Sequence, residues 1–355
     1  MPKVFFDARF IRLDYHDGIS RFSVELIHEL SKKLTLTAII HDEAQRVHLP
    51  AGVDSVLLNS PESPTELLIA RRLNRLGAEV VYSPMQIMGS WGRKYKLVLT
   101  LHDLIYYRHR KPPTDLNFLV KAIWWLYHLS YVPQRILLNR ADLVVTVSET
   151  TKKLIEKHHL TKRPIAVVYN GVKQMANKAR SYPSSKDLLY IGSFMPYKNV
   201  ETLLTGVAQT TGFTLHLLSK ITKKREKELS DQAKRVGASV VFHRGVTDEQ
   251  YQYLLKNCFA LVTASKDEGF GIPVVEALAV GTPVIISDLG VFKDIAGEAG
   301  LYFNPSNAVE LAEQIQQLAN KTQWEEHSAG ALNQSKKYSW RESAIKLAEL
   351  INNLR

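Results

Sequence analysis

One cysteine in 355 residues leaves nothing to build a disulfide with, and Cys258 falls inside an apolar strand pattern, where an inert buried thiol is expected. Long apolar runs are missing too. No stretch approaches the ~18 residues needed to span a bilayer, and Met1-Pro-Lys-Val-Phe-Phe-Asp7 lacks the apolar core of a signal peptide, so a cytoplasmic protein is expected. Glycine is sparse where a dinucleotide site would need it. The segment Asp17-Gly18-Ile19-Ser20-Arg21 holds one glycine in place of three, which argues against a nicotinamide-binding enzyme. The sequence has no Asp-Xaa-Asp motif to demand a divalent metal and no recognised nucleic-acid-binding motif, so neither metal, cofactor nor nucleic acid is expected.

What is present reads as two α/β domains. The length suits two domains, and 45% hydrophobic with 23% charged residues is ordinary for globular cores. Short apolar strands recur at 3–6, 36–40, 55–58, 79–82 and 96–101, separated by helical or loop segments such as Phe22 to Leu34 and Thr65 to Leu76. That alternation predicts an open parallel sheet with helices on both faces and ligands beyond the strand ends. Strands at 143–147 and 165–169 complete the first half, with Ser148 expected as the N-cap of the helix between them and Thr151 at its third position. The polar segment 173–186 reads as a linker, after which the pattern restarts at Leu188. The net charge of +11 is uneven: residues 1–175 hold 25 Lys and Arg against 16 Asp and Glu, a net of +9. Such a balance points to an acidic partner, or simply to solubility.

The most informative stretch is Glu268-Gly-Phe-Gly-Ile-Pro-Val-Val-Glu276. Gly269, Gly271 and Pro273 make a bend after the first carboxylate, and Val274 to Ala279 starts a helix carrying the second. Amides near a helix N-terminus suit anionic groups, and carboxylates accept hydrogen bonds from sugar hydroxyls, a combination that fits a nucleotide sugar. Two solvated acids flanking an ordinary strand-loop-helix connection is the alternative. With its continuation Ala-Leu-Ala-Val-Gly281-Thr-Pro-Val-Ile-Ile-Ser287, the stretch resembles the donor-site signature of retaining GT-B glycosyltransferases of family 4, the glycosyl transferases group 1 that include mannosyltransferases.

The resemblance implies a fold of two Rossmann-like domains with parallel sheets facing across a cleft. It implies an N-terminal acceptor domain (1–172) completed by a terminal helix (338–355), the linker 173–186, and a donor domain (187–337). It assigns Glu268 to the donor-sugar hydroxyls and Glu276 to the ribose, with Gly269, Phe270, Gly271 and Ile272 lining the donor. Gly18, Ile19, Ser20 and Arg21 resemble the family's Gly-Ile-Gly-Arg loop, whose amides face the phosphates and sugar, with Ser20 where a second glycine is frequent. Thr100-Leu-His102-Asp-Leu resembles a segment that brings its histidine beside the reacting centre, although a lone histidine after a strand is more often structural. Gly192-Ser193-Phe-Met-Pro-Tyr-Lys198-Asn resembles the glycine-to-Lys-Asn loop, which makes Lys198 the neutraliser of the departing diphosphate. Ser193 and Phe194 stand where many relatives place an arginine, and Lys173 follows Asn170-Gly171-Val172 where aspartate is usual. Arg244-Gly-Val246 resembles the loop that passes the base through backbone contacts.

The activity so implied is retaining, metal-independent transfer of a hexose from a nucleotide diphosphate sugar to a hydroxyl acceptor, with His102, Lys198 and Glu268 as the catalytic set. A glycan or glycolipid of the cell surface is the expected product, and the acceptor is an acidic glycan or a lipid-linked one. A catalytically idle nucleotide-sugar-binding subunit and a sugar-nucleotide epimerase are the alternatives. Leu116 to Tyr131, with Trp124, Trp125 and flanking cations, suggests peripheral contact with the inner face of the plasma membrane. Adjacent positions point about 100° apart on a helix, so the two tryptophans cannot share one narrow stripe, and a core role is the competing expectation.

Overall fold

The computed structural model describes residues 2–13, 18–110, 112, 118–173 and 178–354. Asp17, Lys111 and the middle of the expected linker, 174–177, lie outside the described residues. The chain divides into two compact units, residues 1–171 with 338–355, and residues 172–337.

In the first unit the chain runs β1 (Val4–Asp7), α1 (Gly18–Leu30), β2 (Leu36–Ile40), β3 (Asp54–Leu57), α2 (Ile69–Arg75), β4 (Val80–Ser83), β5 (Lys96–Leu101), α3 (Ile105–Arg108), α4 (Phe118–Tyr127), α5 (Val132–Asn139), β6 (Leu143–Thr146), α6 (Glu149–Lys157) and β7 (Ile165–Val167). The second unit follows with β8 (Asp187–Tyr190), α7 (Val200–Val207), β9 (Thr214–Leu217), α8 (Lys223–Val236), β10 (Val240–Phe242), α9 (Asp248–Asn257), β11 (Ala260–Thr263), α10 (Ile272–Ala279), β12 (Val284–Ser287), α11 (Gly290–Ala296), β13 (Gly300–Phe303), α12 (Ala308–Leu318) and α13 (Lys321–Ser335). Helix α14 (Trp340–Asn352) returns to the first unit.

Each unit is a doubly wound parallel sheet, as the alternation predicts. The orders are β3-β2-β1-β4-β5-β6-β7 and β10-β9-β8-β11-β12-β13. Central strands such as Leu97 to Leu101, Leu143 to Thr146 and Val284 to Ser287 are buried along their length, which is why they read as continuous Val, Ile and Leu runs rather than as alternating ones. In each sheet the order reverses at one place, between β1 and β4 and between β8 and β11, and ligands of such sheets gather outside the strand ends at that reversal.

Several expectations need correction. Helix α1 begins at Gly18 rather than Phe22, so Gly18, Ile19, Ser20 and Arg21 form its first turn instead of a loop. The segment Thr65 to Leu76 is helical, as expected, with a 3₁₀ turn over Pro64–Leu68 running into α2. Cys258 caps the end of α9 instead of lying in a strand; its burial raises the thiol pKa to about 12, which leaves it protonated. Residues 178–186 are not a free linker. The Arg180 guanidinium donates to Thr282 Oγ1 and to the Cys258 carbonyl, and the Tyr182 hydroxyl donates to the Ala319 carbonyl, so this stretch is bonded onto the second unit.

Helix α13 has no counterpart in the sequence reading. Its buried positions are Trp324, Ser328, Ala331 and Ser335, mostly small residues that make no apolar stripe; Trp324 anchors it by donating 2.9 Å to the Phe259 carbonyl. Ser148 caps α6 as expected, its Oγ accepting from Thr151 N at 3.0 Å.

The terminal helix α14 explains Gly171. A Cβ at that glycine would lie 2.2 Å from Trp340 N, so no side chain fits where the start of α14 presses on the end of the first sheet. Trp340 packs edge-on against Phe22 of α1, and Ser343 Oγ donates 2.7 Å to the Tyr169 carbonyl.

Candidate functional site

In the second unit, β8 and β11 are neighbours at the reversal point, and the loops that leave their C-terminal ends carry the strongest sequence candidates. The loop after β8 starts at Gly192, whose N–H donates 3.0 Å to Ser219 Oγ, and continues through Ser193, whose carbonyl accepts 2.6 Å from the Tyr190 hydroxyl. Burial, first, and then the charges of Glu268 and its neighbours raise the Tyr190 pKa, which keeps that hydroxyl a donor. A 3₁₀ turn, Pro196–Lys198, follows. Asn199 adopts the left-handed conformation (φ 54°), and its amide donates 3.1 Å to the Ala264 carbonyl and 2.6 Å to that of Pro305. The first of these bonds ties the loop after β8 to the loop after β11, the second ties it to the turn after β13, and Lys266 N adds another bond to the β11 side by donating 2.7 Å to Tyr197 O.

The consequence is a contact between two predicted site residues seventy positions apart. Lys198 Nζ pairs with Glu268 Oε1, and Ser265 Oγ donates 3.0 Å to the same oxygen. Both side chains are 14% exposed, so the pair sits at the surface of the unit with most of its water removed. A lysine at the start of a helix opposes the macrodipole; its position is set instead by Asn199 and by the carboxylate it meets.

Glycine at position 271 is dictated locally. It caps α10 with φ +98°, and a Cβ there would lie 2.8 Å from the Phe292 ring, so the backbone can bend sharply between Glu268 and Glu276 only with hydrogen at this position. Phe270 is buried beneath the bend, Ile272 opens α10, and Gly269 lies between Glu268 and Phe270. Glu276, on the fifth position of α10, is 9% exposed, and its Oε2 accepts 2.8 Å from the Tyr251 hydroxyl of α9. Val246 follows β10 and lines a groove of about 490 Å³ with Glu249, Gln250 and Tyr253. Sequence reasoning missed Ser265, Ser219 and Tyr251, since a serine or tyrosine in an unremarkable position carries no motif of its own.

The first unit holds the remaining candidates. His102 lies just past β5, where its Nε2 contacts the Pro84 carbonyl at 2.7 Å; a carbonyl can only accept, so Nε2 carries the proton. The ring stands edge-on to Phe22 at 5.0 Å, which places it beside α1. In the first turn of α1, Gly18 is exposed and Ile19 and Arg21 are half-buried, whereas Ser20 is fully buried and its Oγ accepts 3.0 Å from Arg12 N. The Ser20 side chain therefore braces the preceding segment.

Residues 16–174 match the family Glycosyltransferase Family 4, and residues 172–337 match Glycosyl transferases group 1. Each unit thus matches a glycosyltransferase family model. The chain is similar to the O-antigen chain mannosyltransferase RfbU of Salmonella typhimurium, 30% identical over 48% of this chain and 48% of that protein. It is also similar to O-antigen chain mannosyltransferase B of Escherichia coli, 30% identical over 43% of this chain and 42% of that protein. The match thus spans about half the length of these curated relatives. Among solved structures, sucrose-phosphate synthase from Thermosynechococcus elongatus superposes with a TM-score of 0.75 at 17% identity, covering 100% of this chain and 99% of that one. Anabaena HepE in complex with UDP-glucose gives 0.72 at 18% identity, covering 99% and 100%. At these identities the likeness is one of fold, and the fold is GT-B: two parallel-sheet Rossmann-like domains.

Proposed function

We propose that the chain transfers a hexosyl group from a nucleoside diphosphate sugar to a hydroxyl acceptor in the assembly of a surface glycan, with retention at the anomeric carbon and without a metal ion. The observation that carries this reading is the meeting of Lys198 and Glu268 at the reversal point of the second sheet. A diphosphate arriving there takes the ammonium from Glu268, and the freed carboxylate accepts from donor-sugar hydroxyls. One cation and one carboxylate, held in balance, are thus released together by the two halves of one substrate. As the nucleoside diphosphate departs, the charge that develops on it meets Lys198 and the amides of Ser193 and the segment 269–272, and its phosphate oxygen takes the acceptor's proton on the same face. Glu276 accepts from the ribose, and the backbone at Val246 meets the base. The names of the similar proteins, O-antigen mannosyltransferases among them, favour a hexose and a glycan acceptor.

The test is to incubate purified protein with UDP- and GDP-hexoses in excess EDTA and follow nucleoside diphosphate release, with calorimetry on Glu276→Ala. Release in EDTA is expected from one donor series. The variant should bind the free nucleoside diphosphate more weakly by about 1–3 kcal/mol, the worth of hydrogen bonds to a charged acceptor. Activity that needs added magnesium or manganese sinks the metal-free mechanism. Conversion of the donor sugar without release identifies an epimerase, and binding without turnover an idle subunit.

A second reading concerns where the protein works. Phe118 (87% exposed), Ile123 (58%), Trp125 (47%) and Leu126 (61%) of α4 turn outward, with Val132 and Ile136 of α5 also exposed, while Trp124 turns inward against Tyr106 and His128. The two tryptophans are divided as their spacing requires. Exposed apolar faces of this size mark interaction surfaces, and exposed Arg108 and Arg110 near it suit an anionic lipid surface. The chain is in this reading a peripheral protein on the cytoplasmic face of a membrane. Among the described residues, no helix is long and apolar enough to cross one. Cosedimentation with vesicles containing phosphatidylglycerol should fall as salt rises, because charge attraction is screened over ~8 Å at physiological ionic strength. The double variant Phe118→Ser, Leu126→Ser should lose about 3 kcal/mol or more of that binding, from ~1.5–3 kcal/mol per buried large side chain. Equal binding by variant and parent would move the contact elsewhere.

A further inference from the structure

Glu276 does not stand alone. The hydroxyl of Tyr251 donates to its Oε2 at 2.8 Å, and this contact is 3% exposed on the tyrosine side and 9% on the glutamate side. The two residues come from different elements. Tyr251 lies in the first turns of α9, and Glu276 is on α10, twenty-five residues later. The start of α9 is itself fixed: Thr247 Oγ1 accepts from Gln250 N while the Gln250 side chain accepts from Thr247 N, a reciprocal capping box that begins at the residue after Val246. One short path therefore runs from the segment assigned to the base, through the first turns of α9, to the carboxylate assigned to the ribose.

We propose that Tyr251 is a positioning residue for the nucleotide. It holds the Glu276 carboxylate in the one orientation that meets the ribose hydroxyls, and it couples that orientation to the start of α9. The inference rests on the reading of Glu276 as the ribose acceptor. A glutamate side chain has three rotatable bonds, and an acceptor that must be ordered at the moment of binding loses affinity to that ordering. A charge-assisted O–H···O bond from a buried phenol removes the freedom beforehand, and a phenol ring can deliver its hydroxyl with little freedom of its own. Tyr251→Phe deletes a single oxygen and retains the ring, so packing between α9 and α10 is conserved while the orientation of the carboxylate is released.

A purely structural role for Tyr251 would weaken all nucleotides alike, whereas orientation of a ribose acceptor is felt only by ligands that have the hydroxyl. The test is a set of dissociation constants for UDP, GDP and their 2′-deoxy forms with the parent protein, Tyr251→Phe, Tyr251→Leu and Glu276→Ala, each checked for folding by its thermal transition. The parent is expected to prefer whichever ribonucleotide it binds over the deoxy form by about tenfold or more, as hydrogen bonds to a charged acceptor allow. Glu276→Ala should abolish that preference. Tyr251→Phe should reduce it severalfold while leaving affinity for the deoxy form unchanged, and in turnover it should raise the donor KM with kcat retained. If Tyr251→Phe does not fold, Tyr251→Leu carries the same comparison. Preference lost in Glu276→Ala but intact in the tyrosine variants overturns the role of Tyr251 and leaves the ribose assignment standing. No preference in the parent, or one that survives Glu276→Ala, overturns both.

Discussion

Lys198→Ala is expected to lower kcat by about 10²–10³, the size of effect seen when one preorganised donor to a developing oxyanion is removed. The side chain is held by the Asn199 turn at the end of β8, where the leaving phosphate would gather charge, so its loss falls on the transition state more than on the bound donor. Some stability should go as well. The pair with Glu268 has lost most of its water, so removing the lysine leaves a largely buried carboxylate held only by the Ser265 hydroxyl. Steady-state kinetics beside a thermal melt separates the two consequences, and Lys198→Arg should restore part of the rate by returning the charge. A kcat within threefold of the parent, in a folded variant, would remove Lys198 from the chemistry.

Arg9→Ala should cost about 3–5 kcal/mol of stability, the usual penalty for leaving a buried charge without its partner. Arg9 is 2% exposed, at the end of β1. Its guanidinium donates 2.7 and 3.0 Å to the two oxygens of the fully buried Asp7, 2.6 and 3.1 Å to those of Glu66, and 3.0 Å to the Asn59 carbonyl. Burial works against the guanidinium's charge, but Asp7 and Glu66 outweigh it and hold the group above its ordinary pKa. Gly89 N donates 2.9 Å to Glu66, so removing Arg9 also loosens the loop after β4. Urea unfolding measures the difference, and a loss under 1 kcal/mol would mean that water or a relaxed Asp7 replaces the arginine. Arg9→Met should fare little better, since it refills the volume and still strands Asp7.

The sheets were legible because strands buried on both faces must be written as unbroken apolar runs, and the bend between Glu268 and Glu276 was legible because its geometry demands glycine at position 271. The pairing of Lys198 with Glu268 was not. Each residue stood out in its own motif, but nothing in the chain states that Asn199 bonds the Ala264 carbonyl and so brings the two loops together. Tyr251 escaped for the same reason, because its role depends wholly on a partner in another helix. Helix α13 was hidden by composition: serine and alanine facing inward look like nothing in particular, and one tryptophan does the anchoring. At Gly18 the resemblance to a glycine loop led to the wrong local structure, since the helix starts there and buries Ser20 against Arg12 N.

The return of α14 to the first unit sets an order of events on the ribosome. Residues 172–337 form a contiguous unit and can close their core as soon as Lys337 has emerged. The first unit was begun 171 residues earlier, yet it still lacks the helix that covers Phe22 and closes over Gly171. Until α14 has left the exit tunnel, helix α1 waits with an apolar face uncovered, so the unit begun first closes after the second one. Stop codons within α14 should therefore yield chains whose N-terminal half is captured by chaperones or degraded, while the second unit folds normally.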